Sequence, residues 1–211
     1  MAKTPRFEWV GGERCLDFNN TAAWRSTGPY DDRLGSREDI LEWGAGAGLM
    51  ADSPPQKASP RILKDAVALR ATLHRILSPL SRWHAPAPED LAALNEFLRR
   101  ALSGVRLARG KGTFRWDFSG SAGDLDPILA AVVWSAARLL ESADLSLLRE
   151  CADPECGWLF VDRSRRKNRR WCEMRECGSR AKARRYYLRH RSARNRGNPS
   201  PRAPLGREST E

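Results

Sequence analysis

Long apolar runs are missing from this chain. The longest, Ile128–Trp134, falls far short of the roughly 20 residues that cross a bilayer, so a membrane partner is not expected. The first residues, MAKTPRFEWVGGERCLDF, hold no apolar core. No secretory signal is expected, and a reducing, cytoplasmic setting follows. Histidine is scarce, three in 211 residues. His74 and His84 are isolated in the sequence, and no catalytic constellation is expected in residues 1–150. A C-x-x-C pair is absent too, which disfavours a dithiol redox centre.

What is present is basic charge, unevenly spread. The chain carries a formal +11. Residues 151–196 hold 15 Lys and Arg against 5 Asp and Glu, whereas residues 1–150 hold 20 against 19. An excess confined to one segment points to an anionic partner for that segment alone.

The expected fold class is α+β. It comprises a mainly helical N-terminal domain with short β-hairpins (1–146), a small zinc-finger module of knuckle, hairpin, knuckle and helix (147–192), and a disordered tail (193–211). FEWVGG and CLDF read as two short strands around Gly11-Gly12. Ser36 and Asp39 form a capping-box pair that opens a helix, which stops at GAGAGL. Those glycines follow a helix rather than a strand, so they do not form a phosphate loop. Ala51–Ser59 is a Pro/Ser linker. Arg61–Leu77 shows a helical period at Leu63, Val67, Leu73 and Ile76/Leu77, with Arg70 interrupting the stripe; Pro79 should end or kink that helix. Pro88 opens another, to about Leu102. TFRWDF reads as one strand of a hairpin. Asp126-Pro127 opens the most hydrophobic helix, a core element before it is a dimer seam.

Four of the five cysteines are Cys151, Cys156, Cys172 and Cys177, spaced C-x4-C-x15-C-x4-C. Two close pairs supply the four corners of a tetrahedral thiolate site. A site closed by four protein ligands has no place for a reacting water, so one structural Zn²⁺ is expected. Each pair ends in Cys-Gly. Cys15 reads as a buried structural thiol. Between the pairs, WLFVD is an apolar strand and RRWC starts its expected partner.

A helix from Gly178 to about Arg191 follows. At about 100° per residue, Arg180, Arg184, Tyr187 and Arg191 share a stripe. Cys177, Ala181 and Leu188 lie beside it, with Leu188 placed to pack on the hairpin. Lys182, Arg185 and Arg189 widen the basic surface, and Arg169 and Arg170 precede the second knuckle. These residues suit nucleic-acid phosphates, with Tyr187 available to a phosphate or a base. Arg180 has an alternative use, pairing with Asp162.

The segment from about Leu147 to Arg191 resembles the CGNR-type zinc finger. The matching residues are the cysteine pairs, Phe160-Val161-Asp162, Ser164, Arg169-Arg170-Trp171-Cys172 and Cys177-Gly178-Ser179-Arg180. Ser179 stands where that family has asparagine; as a helix cap, serine would serve equally. The preceding part is similar to the ABATE domain through Gly11-Gly12, Leu16-Asp17-Phe18, Asn20-Thr21, Gly48-Leu49, Leu69-Arg70 and Asn95. The resemblance implies a bacterial-type stress-response transcription regulator with the finger as DNA binder.

The expected function is therefore DNA-binding regulation at the nucleoid, not catalysis. An RNA- or protein-binding zinc module is the alternative. A zinc-supported nuclease is disfavoured, because His190 is the sole histidine near the finger. One finger binds weakly, so a homodimer reading two half-sites would serve better. A small-molecule effector would need a pocket, for which Asp17, Asn20 and Thr21 with Trp43 or Trp116 are the candidates. Turn formation by Asp17 and Asn20 through their own backbone is the competing use of those side chains.

Overall fold

The computed structural model describes residues 6–23, 31–49, 61–110, 112–118 and 125–197. Six α-helices and three two-stranded antiparallel sheets follow in chain order among them. Helix α1 spans Arg14–Asn19, β1 Ala22–Ala23, β2 Asp31–Asp32, α2 Arg37–Gly46, α3 Ile62–Ser81 and α4 Pro88–Leu102. The β3–β4 hairpin pairs Arg106–Arg109 with Phe114–Asp117, and α5 covers Pro127–Glu141. A 3-10 turn, Ala143–Leu147, leads to β5 (Leu148–Glu150), which pairs with β6 (Leu159–Val161). A wide turn over Met174–Gly178 then runs straight into α6, Ser179–Gly197.

Local chemistry starts and stops these helices. Ser36 accepts the Asp39 amide and the Asp39 carboxylate accepts the Ser36 amide, the reciprocal cap read from the sequence. Pro88 and Pro127 occupy first-turn positions that need no amide donor, and Asp126 caps α5 through the Ile128 amide. The α3 period holds, but its phase shifts. Ile62, Ala66, Leu69, Leu73, Ile76 and Leu77 are buried, while Val67 is exposed. Arg70 belongs to the buried face. Its guanidinium meets the Asp32 carboxylate at 2.7 Å and Thr21 Oγ1 at 3.0 Å, fixing β2 against α3. Pro79 neither stops nor precedes the end at once: α3 continues to Ser81 and closes with Trp83 at positive φ.

Two expectations need correction. Neither FEWVGG nor CLDF is a strand: residues 7–12 form no regular element, and CLDF is the body of α1. Cys15, Leu16, Phe18 and Asn19 are all buried, a cluster that alternation cannot produce. The partner of β6 is β5, before the first knuckle, and RRWC forms no strand. It touches the chain ahead of it through one backbone bond, Ala152 N–H to Arg170 carbonyl at 2.8 Å. The 51–59 linker lies outside the described residues. So does the tail beyond 197, whereas 193–197 continue α6 rather than opening a tail.

Helix α5 lies in the core, with Ile128–Val133 buried against α1 and α4. The same core takes in Leu148, Leu159 and Val161 from the sheet that opens the cysteine-rich region. The finger's hairpin is thus packed on the helical body.

Candidate metal centre and nucleic-acid interface

Cys151 lies at the end of β5, Cys156 two residues before Trp158 on the way to β6, Cys172 before the wide turn and Cys177 within it. All four are buried and none is in a disulfide. Their Sγ atoms lie within 4.8 Å of one another, with Cys172 Sγ 3.6 Å from Cys156 Sγ and 3.5 Å from Cys177 Sγ. Zinc–sulfur bonds of about 2.3 Å place tetrahedral sulfurs about 3.8 Å apart, so the donor set fits one Zn²⁺. Among the described residues, this is the one cluster able to hold a metal. Packed this closely, the sulfurs share protons: hydrogen bonds from Cys156, Cys172 and Cys177 hold the Cys151 thiol far below its ordinary range, while Cys156 and Cys172 are pushed up. A divalent cation replaces those shared protons and lets all four be thiolates.

The two Cys-Gly steps differ. Gly157 sits at φ +68°, the left-handed conformation that turns the chain back into β6. Gly178 is helical. A Cβ there would lie 2.2 Å from Met174 Sδ and 3.3 Å from Trp171 Cδ1, so a larger residue would displace the exposed Met174 side chain.

Asp153, buried within the first knuckle, joins that knuckle to α6. Its carboxylate accepts Arg180 Nε at 2.8 Å and an Arg184 nitrogen at 3.3 Å, and a second Arg180 nitrogen lies 3.0 Å from Cys177 Sγ. Burial opposes the Asp153 charge, but the arginines and the Glu155 amide outweigh it and hold the carboxyl below the usual range. Arg180 therefore does not pair with Asp162. Asp162 instead accepts the Ser164 and Arg169 amides at 3.0 and 2.8 Å, shaping the loop between them. Arg169 turns inward as well. It donates to the carbonyls of Trp171, Val10 and Cys172 and lies over the Phe160 ring at 4.3 Å. Ser179 is not a cap: its hydroxyl donates to the Met174 carbonyl at 3.2 Å from inside the helical run.

Past Arg184 the helix leaves the metal core. Arg185, Tyr186, Tyr187, Leu188, Arg189, His190 and Arg191 are all exposed. Leu188, at 55 % exposure, does not pack back on the hairpin. His190 rests on Tyr186, with ring centroids 4.1 Å apart. Of the basic candidates, Arg170, Lys182, Arg185 and Arg191 remain open to solvent, as does Tyr187.

Among the described residues, Asp17, Asn20, Thr21, Trp43 and Trp116 each have partners within the fold. Asp17 accepts the Gly11 amide at 2.8 Å. Asn20 makes a strand-like pair with Leu159, donating to its carbonyl and accepting its amide, both at 2.9 Å. Thr21 donates to the Phe18 carbonyl and receives Arg70. Trp43 is wholly buried between Trp9 and Phe18, and Trp116 rests on Trp134. A groove of about 540 Å³ lies elsewhere, lined by Trp9, Val10, Arg163, Arg169 and Met174.

Comparison with known families agrees with this layout. Residues 12–143 match the ABATE family model, described as "Putative stress-induced transcription regulator". The chain belongs to the ABATE family. Residues 148–190 match the CGNR zinc finger, which encloses all four cysteines. No curated protein matches the chain. In this ABATE chain the family boundary, between 143 and 148, falls inside a shared core. Val161 N–H bonds the Gly11 carbonyl at 2.9 Å and Trp158 Nε1 bonds the Ala22 carbonyl at 3.1 Å. Arg163 reaches Glu13, Asp144 and the Gly12 carbonyl. These cross-links, and the Asp153 clasp, escape sequence reading because each joins residues far apart in the chain. Asp153 reads as a turn former, and only its placement beneath Arg180 and Arg184 gives it a second task. No helix among the described residues is long and apolar enough to cross a membrane.

Proposed function

We propose that this chain is a DNA-binding transcription regulator whose zinc-held helix α6 contacts duplex DNA. The observation that carries the reading is the division of labour among the arginines. Arg169, Arg180 and Arg184 are spent inside the finger, on carbonyls and on Asp153. The exposed remainder of α6 carries basic side chains, and its sequence contains no acidic residue. A helix polar on every side gains nothing from packing on its own core. Its width suits the DNA major groove, and its arginines suit phosphates and guanine edges. The role is non-enzymatic, and the zinc is structural.

Ligand response through Asp17, Asn20 and Thr21 is not part of this reading, because their polar atoms are committed to backbone and to Arg70. Replacing Lys182, Arg185, Arg189 and Arg191 by Gln should cut duplex affinity at least tenfold and flatten its salt dependence by about 3 to 4, since each phosphate contact contributes roughly 0.9 to the slope. Zinc content should not change. Fluorescence anisotropy on duplex DNA and on single-stranded RNA checks both points. Tighter binding to the RNA would move the assignment to an RNA-binding module, and retention of duplex affinity by the variant would remove α6 from the interface.

A further inference from the structure

Several arginines of the helical body are neutralised where they stand: Arg6 by Asp39, Arg75 by Asp90, Arg82 by Glu150 and Arg100 by Asp65. The β3–β4 hairpin departs from that pattern. Arg106, Arg109 and Arg115 are exposed, and none forms an ion pair with a described carboxylate. By sequence, residues 106–117 hold four basic residues and one acidic.

The register says how this charge is arranged. Leu107 faces Trp116 and Arg109 faces Phe114, so these four share one face; Arg106 and Arg115 lie on the other, together with Asp117, which stands opposite Arg106. Cationic groups therefore flank the ribbon on both sides. Leu107 is 60 % exposed and Phe114, next to the turn, is 68 % exposed. Trp116 rests on Trp134 of α5 at 5.0 Å and anchors the ribbon to the body. Two-stranded ribbons are marginal alone, so an anchored one that leaves its apolar tip and its arginines in water is built to present them.

We infer that the β3–β4 ribbon is a second nucleic-acid contact element, its arginines taking phosphates on both sides and Phe114 meeting a base or sugar. A two-stranded ribbon is one of the two elements that a DNA groove admits. Nucleic acid supplies regularly spaced anions together with flat apolar surfaces, the two things this ribbon displays. The inference deepens the proposed function and rests on it.

The test uses the full-length, zinc-loaded chain and a 30-bp mixed-sequence duplex, with anisotropy read across a salt series. The variants are R106Q/R109Q/R115Q, F114A and, for comparison, R185Q/R189Q/R191Q in α6. Melting temperature and zinc content are checked for each. The ribbon triple variant should bind about tenfold more weakly, with a salt slope reduced by about 2 to 3. F114A should weaken binding about fivefold or more. Ribbon variants indistinguishable from the wild type, beside an α6 variant that loses binding, would overturn the inference and leave the α6 reading standing. Loss in the ribbon variants alone would support the ribbon against α6. A wild-type chain that binds no duplex would overturn both.

Discussion

At the scale of single residues, the finger and the helical body meet through Asn20. Its amide occupies both polar groups of Leu159, as a neighbouring strand would. Truncation to Ala leaves a buried amide and carbonyl unpaired, and N20A should lose about 2 to 4 kcal/mol of stability in urea titrations. A loss under 0.5 kcal/mol would deny Asn20 that part. Asp17 makes a separate pH prediction. Burial raises its carboxyl to about 6, against the Gly11 and Val10 amides that lower it. The native state then holds a proton that the unfolded chain releases near 4, so this group's contribution to stability falls as pH rises from about 4 to 6. D17N mimics the protonated form. Its stability relative to wild type should rise across that window by up to about 3 kcal/mol and stay flat above it. A constant difference would contradict the shift. Cys15, fully buried and with its thiol pushed up to about 12 by burial, should resist alkylation in the folded chain.

At the scale of elements, the caps, proline starts and cysteine spacing could be read directly, because each depends on neighbours within a few positions. The Ser36–Asp39 box and the Pro88 and Asp126-Pro127 starts fall where the sequence places them. So do the four cysteines that form the metal site. The short pieces could not be read this way. Helix α1 is six residues long, too short for a period to show, and tertiary burial decides it. The expected partner of β6, RRWC, gives way to β5; both segments are short and flank a knuckle, so local pattern does not separate them. Leu188 completes an apolar stripe by spacing but is 55 % exposed in the fold. The Asp153 clasp yields an element-scale prediction: D153A removes the shared acceptor of Arg180 and Arg184, and α6 should lose its fixed seat. Zinc release to a chelator should then quicken severalfold, measured by a chromogenic chelator. Unchanged release would show that the thiolates alone hold the helix.

Across the whole molecule, charge and packing divide the chain differently. Charge separates residues 151–196 from the rest, and the family boundary falls close by. Packing does not separate them, because Leu148, Leu159 and Val161 sit in the helical core and Val10 and Ala23 pack beside the cysteines. Metal removal should therefore lower the melting temperature of the entire chain and not only unravel the finger. The central claim is that zinc holds a basic helix in place for DNA. Its most direct measurement is duplex affinity on one sample, before and after chelation, across a salt series, with metal content read in parallel. The account predicts one zinc per chain, affinity that falls steeply with salt, and affinity lost on chelation and restored by Zn²⁺. One zinc per chain with no duplex binding, or binding indifferent to the metal, would contradict it.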